Sequence, residues 1–200
     1  VHGAEIARVT AADRGRGGAW PQTAIPAVDG LLTSEPGILL AVTVADCPPI
    51  LLADPIARAA AAVHSGWRGT AGRIAPKAVE RMCTEMGARP ERMVAAIGPA
   101  ICGECYETGP DVAARIREAC GSSDVVGTNG RGRETVDLRA AIVAQLTGAG
   151  LLPANIHVAP WCTRCHNDLF FSHRGQGPTA GRFAGLIAIA YGFKGPNFAV

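Results

Sequence analysis

Aromatic side chains make up only 5% of this 200-residue chain. Charge of one sign is also scarce: nineteen Lys and Arg stand against seventeen Asp and Glu, a net of +2. That basic excess is too small to supply the phosphate contacts of a nucleic-acid binder, so no nucleic-acid partner is expected. No apolar run approaches the roughly 20 residues that a membrane-spanning helix needs, so no membrane partner is expected either. The stretches 38–45 and 183–191 are the longest candidates and fall well short. A signal-peptide pattern is missing, and the 25 Gly and 14 Pro are spread without a period, so the chain is neither collagen-like nor a linker. An initiator Met is missing as well. The chain opens Val1-His2-Gly3 and is expected to form a single domain over residues 1–200 that lacks an N-terminal segment.

What is present suffices for a core, since 48% of the residues are hydrophobic. At about 150 residues per domain the length suits one domain, and a chain of this size hides roughly 70% of its unfolded surface without disulfide staples. Apolar runs at 38–45, 50–53 and 58–63 are rich in Val, Ile and Ala and punctuated by Pro and Asp. They predict adjacent buried strands. A short strand over 5–10 and a Gly- and Arg-rich surface loop over 13–26 precede them. From 71 to 87 the period becomes that of a helix closed by Gly87. Further helices are predicted over 110–120 and 137–148, and further strands over 93–97, 155–159, 169–172 and 183–190. Strands cluster ahead of the first helix, and the alternation is not a strict βαβ rhythm. The expected class is therefore α+β, a mixed β-sheet core with flanking helices. Trp161, Phe170 and Phe171 are placed in that core.

Seven cysteines, in a chain without an export signal, favour a reducing, cytoplasmic setting with metal or thiol chemistry over a disulfide framework. Four of them form two Cys-x-x-Cys pairs, Cys102 with Cys105 and Cys162 with Cys165. The pairs lie much further apart than the roughly 15–20 residues of familiar zinc modules, so they read as incidental. Cys162 to His166 also spells the haem-attachment pattern, which reads as accidental because covalent haem requires export.

The densest stretch is Val44-Ala45-Asp46-Cys47-Pro48-Pro49, followed by Val63-His64-Ser65-Gly66-Trp67-Arg68-Gly69. In the strand reading Cys47 sits just past one strand and His64 at the end of another, so both face one rim, where a scaffold fixes side chains and loops leave access. Taken singly, Cys47 reads as a buried thiol and His64 as a core histidine. Their coincidence with the Gly-Trp-Arg-Gly turn favours a site. Gly66 and Gly69 let backbone approach a ligand, and Arg68, just ahead of the first helix, suits an anion. A third element, Gly177-Pro178-Thr179-Ala180-Gly181-Arg182, ends in an arginine that serves either as a solvated charge or as a phosphate contact.

These blocks, together with Ile97-Gly98-Pro99-Ala100-Ile101 and Phe170-Phe171-Ser172-His173-Arg174, resemble the purine nucleoside phosphorylase family long called multicopper polyphenol oxidases or laccase-domain proteins. Its bacterial members include a peptidoglycan editing factor. The resemblance covers essentially the whole chain. It implies one Zn²⁺ held by His2, Cys47 and His64, three protein ligands with a vacant fourth position. It also implies a segment carrying an Arg-x-Gly-Gly-Val-Ser motif ahead of His2, which this sequence lacks.

The implied activity is phosphorolysis of adenosine, inosine, guanosine and methylthioadenosine, with adenosine deamination. Cys47, His64 and Arg68 are the implied catalytic residues, and Arg68 and Arg182 the implied phosphate contacts. The substrates are small purine nucleosides and phosphate. A four-copper laccase centre needs roughly ten imidazoles, and the chain has five, at 2, 64, 157, 166 and 173. A single Cu²⁺ competing for the Cys/His site remains chemically open. So do a metal-free Cys-His hydrolase, with Cys47 as nucleophile and His64 as base, and a non-catalytic zinc protein acting in peptidoglycan editing.

Overall fold

In the computed structural model, which describes residues 2–192, the apolar runs after residue 38 build two layers rather than one. In chain order the elements are β1 (Ile6–Arg8), β2 (Gly30–Thr33), β3 (Leu39–Val44), β4 (Pro49–Asp54), β5 (Ala59–His64), α1 (Trp67–Ala71), α2 (Ile74–Met86), β6 (Val94–Ile97), α3 (Pro110–Cys120), β7 (Val126–Thr128), β8 (Glu134–Val136), α4 (Leu138–Gly148), β9 (Ile156–Val158), α5 (His173–Gln176) and β10 (Phe183–Ala188). Six strands form the main sheet in the order β1-β2-β5-β4-β6-β9. The outer pairs β1–β2 and β6–β9 are parallel and the inner pairs antiparallel. The α+β class with a mixed sheet and flanking helices is therefore what the chain adopts.

Strand β5 shows why the layers close. Its residues Ala59-Ala60-Ala61-Ala62-Val63 are all buried. Ala61 and Val63 face a cluster with Leu32, Ile50 and Leu52 of the sheet, Ile74 and Met82 of α2, and Ile142 and Leu146 of α4. Ala62 faces the opposite cluster with Ile38, Leu40 and Val42. Alanine at the centre lets a helix and a second sheet both approach one strand. The larger side chains around it, each contributing roughly 1.5–3 kcal/mol when fully buried, fill the space.

The second sheet is the ribbon β3–β10, antiparallel from Phe183↔Val44 to Ala188↔Leu39. Strand β3 therefore does not lie beside β4 and is not buried on both faces: Leu39 is 62% exposed and Leu40 1%. The helix expected over 71–87 is α2, closed by Gly87 as expected, and a short helix not expected from sequence, α1, precedes it. At Gly72 a Cβ would meet the Ala4 Cβ at 2.9 Å, and Arg73 follows at φ 57°, a left-handed step that breaks the helix. Segment 169–172 is not a strand. It turns into α5, whose first turn is capped by the Ser172 hydroxyl accepting from the Gly175 N–H at 3.0 Å. Strands β2, β7 and β8 have three or four residues each, too few to show a period in sequence. Trp161 and Phe171 are about half exposed, contrary to the expected core position. Phe170 packs between the Trp161 and Phe183 rings at 6.4 and 5.7 Å. Among the described residues no helix is long and apolar enough to cross a membrane.

Candidate metal centre

The antiparallel register of β4 and β5 opposes Pro49 to His64. Cys47, two residues before β4, thus arrives at the sheet end where β5 finishes. Strand β2 runs beside β5 with Gly30 opposite Val63, which brings Asp29 to the same end. The Asp29 carbonyl accepts the His64 N–H at 2.7 Å. The Asp29 side chain, 2% exposed, makes two further bonds. Its Oδ1 lies 2.8 Å from His64 Nδ1, and its Oδ2 accepts the Gly3 N–H at 2.6 Å. One carboxylate therefore orients the His64 ring with Nε2 outward and fastens the backbone that carries His2. The His2 and His64 rings meet edge to face, 5.2 Å between centroids. One ligand atom each from His2, Cys47 and His64 lies within 4.8 Å of the others. Gly66 completes the cradle: a Cβ there would stand 3.0 Å from Cys47 Sγ and 3.2 Å from His2 Cδ2.

Cys47 is aimed by its neighbour. Asp46 is buried with φ 82°, a conformation that a non-glycine residue holds only when its surroundings enforce it. Three bonds do so. Asp46 Oδ1 accepts the Thr163 hydroxyl at 2.6 Å, Oδ2 accepts the Arg174 N–H at 2.6 Å, and the Asp46 carbonyl accepts the Ile101 N–H at 2.9 Å. Sequence reasoning missed Asp29 and gave Asp46 no role. Asp46 at least stood next to a singled-out cysteine, whereas Asp29 is a lone carboxylate ahead of a four-residue strand.

Burial pushes the Cys47 thiol up to about 11, with the Asp46 and Asp29 carboxylates adding to the shift and Arg182 opposing it. Partial desolvation and the neighbouring His64 push His2 down, a shift toward the neutral form that ligates a metal. Tyr106 is also driven up, to about 12, by burial and by the nearby Cys47, and Arg174 lies 5.3 Å over its ring.

The arginines differ from expectation. Arg68 is inside α1 rather than ahead of the first helix, because Gly66 occupies the cap position and the helix starts at Trp67. Its guanidinium stacks on the Trp67 indole at 4.4 Å and makes no ion pair among the described residues. Arg182 is exposed and donates through Nη1 to its own loop, to the Ala180 and Gly181 carbonyls at 2.6 and 2.9 Å. The structure also gathers the cysteine pairs that read as incidental in sequence: one sulfur each from Cys102, Cys105, Cys162 and Cys165 lies within 4.8 Å of the others.

The model of the multi-copper polyphenol oxidoreductase laccase family matches residues 1–190. The chain belongs to the laccase-domain family. It is similar to proteins that carry different names. Adenosine deaminase RL5, from an unknown prokaryotic organism, is 44% identical over 168 residues, covering 82% of this chain and 64% of that protein. Purine nucleoside phosphorylase YlmD of Geobacillus stearothermophilus is 41% identical over 189 residues, covering 94% and 69%. The crystal structure of YlmD from Geobacillus stearothermophilus superposes with a TM-score of 0.90 at 40% identity, over 95% of this chain and 71% of that one. The chain thus spans about two thirds of the length of the curated relatives it matches.

Proposed function

We propose that this laccase-domain chain is a zinc-dependent purine nucleoside enzyme. It cleaves adenosine, inosine, guanosine and methylthioadenosine with phosphate to the free base and ribose 1-phosphate, and it deaminates adenosine to inosine. The observation that carries the reading is the convergence of His2, Cys47 and His64 at one sheet end, with Asp29 behind His64. Two imidazoles and one thiolate suit Zn²⁺, and three protein donors leave a fourth position for chemistry. Zn²⁺ bound there supplies a Lewis acid that acidifies water and polarises a substrate atom. The names of the relatives, a purine nucleoside phosphorylase and an adenosine deaminase, supply the substrate class.

The chain's own groups do the rest. Asp29 fixes the tautomer and aim of His64, as carboxylates behind ligating imidazoles generally do. Arg68, held against Trp67 and free of any ion pair among the described residues, brings a cation to the rim for phosphate. Arg182 adds a second positive charge near Cys47. In phosphorolysis a phosphate oxygen bonds to ribose C1′, and the C1′–N9 bond breaks with its electron pair passing to the purine, which takes up a proton. In deamination a water oxygen bonds to C6, and the amino nitrogen leaves as ammonia.

A laccase reaction does not fit, because of the five histidines only His2 and His64 converge with other donors among the described residues. An unaided Cys-His hydrolase is disfavoured too. The Cys47 thiol is shifted away from ionisation, whereas a cysteine nucleophile needs the opposite shift.

The test is incubation of the zinc-loaded protein with adenosine, with and without phosphate, followed by chromatography. Adenine and ribose 1-phosphate should form only with phosphate, and inosine in both cases. Unchanged adenosine under both conditions overturns the reading.

A further inference from the structure

Strands β6 and β9 run parallel, with Ala95 opposite Ile156 and Ile97 opposite Val158. The two segments stay together beyond the strands. The Ala159 N–H donates to the Ile97 carbonyl at 2.8 Å, the Thr163 N–H donates to the Ala100 carbonyl at 3.2 Å, and Ala100 bridges Cys162 in parallel register. Each segment then makes a tight turn bounded by two cysteines, one of them a 3-10 turn over Gly103–Cys105. The shared register therefore stacks the two Cys-x-x-Cys turns, and their separation in sequence ceases to matter.

The sulfurs are disposed as ligands. One Sγ from each of the four cysteines lies within 4.8 Å of the others, and Cys105 Sγ is 3.5 Å from Cys165 Sγ. Four thiolates at about 2.3 Å from a tetrahedral Zn²⁺ stand about 3.8 Å apart. The spacing fits that polyhedron, and all four thiols are free. The Cys102 N–H donates to Cys162 Sγ at 3.3 Å, the kind of outer bond that orients a ligating sulfur. Arg164, inside the second turn, donates to the Cys105 carbonyl at 3.3 Å, a further tie between the two turns. All four positions come from protein, which is the pattern of a structural rather than a catalytic zinc.

We propose that Cys102, Cys105, Cys162 and Cys165 form a second, structural Zn²⁺ site that fastens the loop after β6 to the loop after β9. The site is chemically independent of the His2–Cys47–His64 cluster, although both loops reach Asp46 through Ile101 and Thr163.

Metal analysis of the protein purified under reducing conditions tests this directly. Wild type should carry two equivalents of zinc, Cys47→Ala one, and Cys165→Ala one, while Cys165→His, which keeps four ligands, should retain two. Cobalt-substituted wild type should show the intense sulfur-to-metal absorption of a tetrathiolate site, a readout that does not depend on any variant folding. Zinc content unaffected by Cys165→Ala, iron in place of zinc, or two disulfides found by thiol titration of the wild type would each overturn the proposal. One equivalent of zinc in wild type, lost in Cys165→Ala and kept in Cys47→Ala, would support this site and count against the three-donor centre instead.

Discussion

The two ends of the β4–β5 hairpin both bury aspartates, and they use them in opposite ways. At the turn end, Asp54 is fully enclosed. Its Oδ1 accepts the N–H groups of Ile56 and Ala57 at 2.8 and 3.0 Å, and its Oδ2 accepts the Arg89 N–H at 2.9 Å and the Arg92 guanidinium at 2.9 and 3.2 Å. Every lone pair is consumed locally, so the carboxylate can only hold the turn. At the other end, Asp29 and Asp46 each spend their oxygens on one donor apiece. What they hold, the His64 ring and the backbone before Cys47, presents its own free atoms to a shared space. A buried carboxylate by itself therefore says little about function; the group it orients, and whether that group has an atom left over, says much more.

Replacing members of each end separates the two roles. Cys47→Ala should have the largest effect, a loss of nucleoside turnover of about a thousandfold, which corresponds to the several kcal/mol a catalytic metal supplies, with little change in melting temperature. Asp54→Ala should do the reverse. It removes the shared acceptor of the Ile56, Ala57 and Arg89 N–H groups and of the part-exposed Arg92 guanidinium and should lower stability by about 1–3 kcal/mol in denaturant titration, with zinc content unchanged.

The acid limb of stability belongs to the turn end as well. Burial opposes ionisation of Asp54, but hydrogen bonds from Ala57, Arg89, Arg92 and Ile56 outweigh it and hold its pKa below the ordinary 3.8. Its folded value lies below its unfolded value, so its stabilisation is complete above the unfolded pKa and is lost as pH falls through the folded one. Asp54→Asn should flatten that part of the stability–pH profile. A profile identical to wild type would contradict the role assigned to the turn end.

Asp29→Ala should weaken zinc binding at the three-donor centre by about 10–100-fold in chelator competition, the usual consequence of removing a carboxylate behind a ligating imidazole. Thr163→Val should have the smallest effect, about 1–2 kcal/mol of stability, from leaving one oxygen of buried Asp46 unpartnered. If Thr163→Val instead left stability unchanged but abolished zinc binding at the three-donor centre alone, Asp46 would belong to that centre rather than to its support.

Much of the scaffold is readable in sequence because its signals are local. Pro110 and Asp137 mark the starts of α3 and α4, and Gly87 the end of α2, through capping chemistry that acts within one turn. Runs of Ile, Leu, Ala and Val mark β4 and β5. Cys47 and His64 are readable because strand ends and glycine turns announce themselves. His2 comes only from the family resemblance, since a histidine at a chain start has no local signal. Asp29 and the gathered cysteine pairs depend on strand register, a property of two distant segments that neither one encodes alone. The position of β3 differs from expectation for a related reason. A continuous apolar run does not tell which sheet it joins, and the alternation seen in the structure becomes clear only when β10 covers one edge.

The central claim is that His2, Cys47 and His64 hold the metal on which nucleoside chemistry depends. Phosphorus NMR of adenosine incubated with phosphate and either the zinc-loaded wild type or Cys47→Ala, matched for folded fraction, tests it most directly. Wild type should build a ribose 1-phosphate signal while Cys47→Ala, short of one zinc equivalent, builds none. Equal signals from the two proteins would contradict the account.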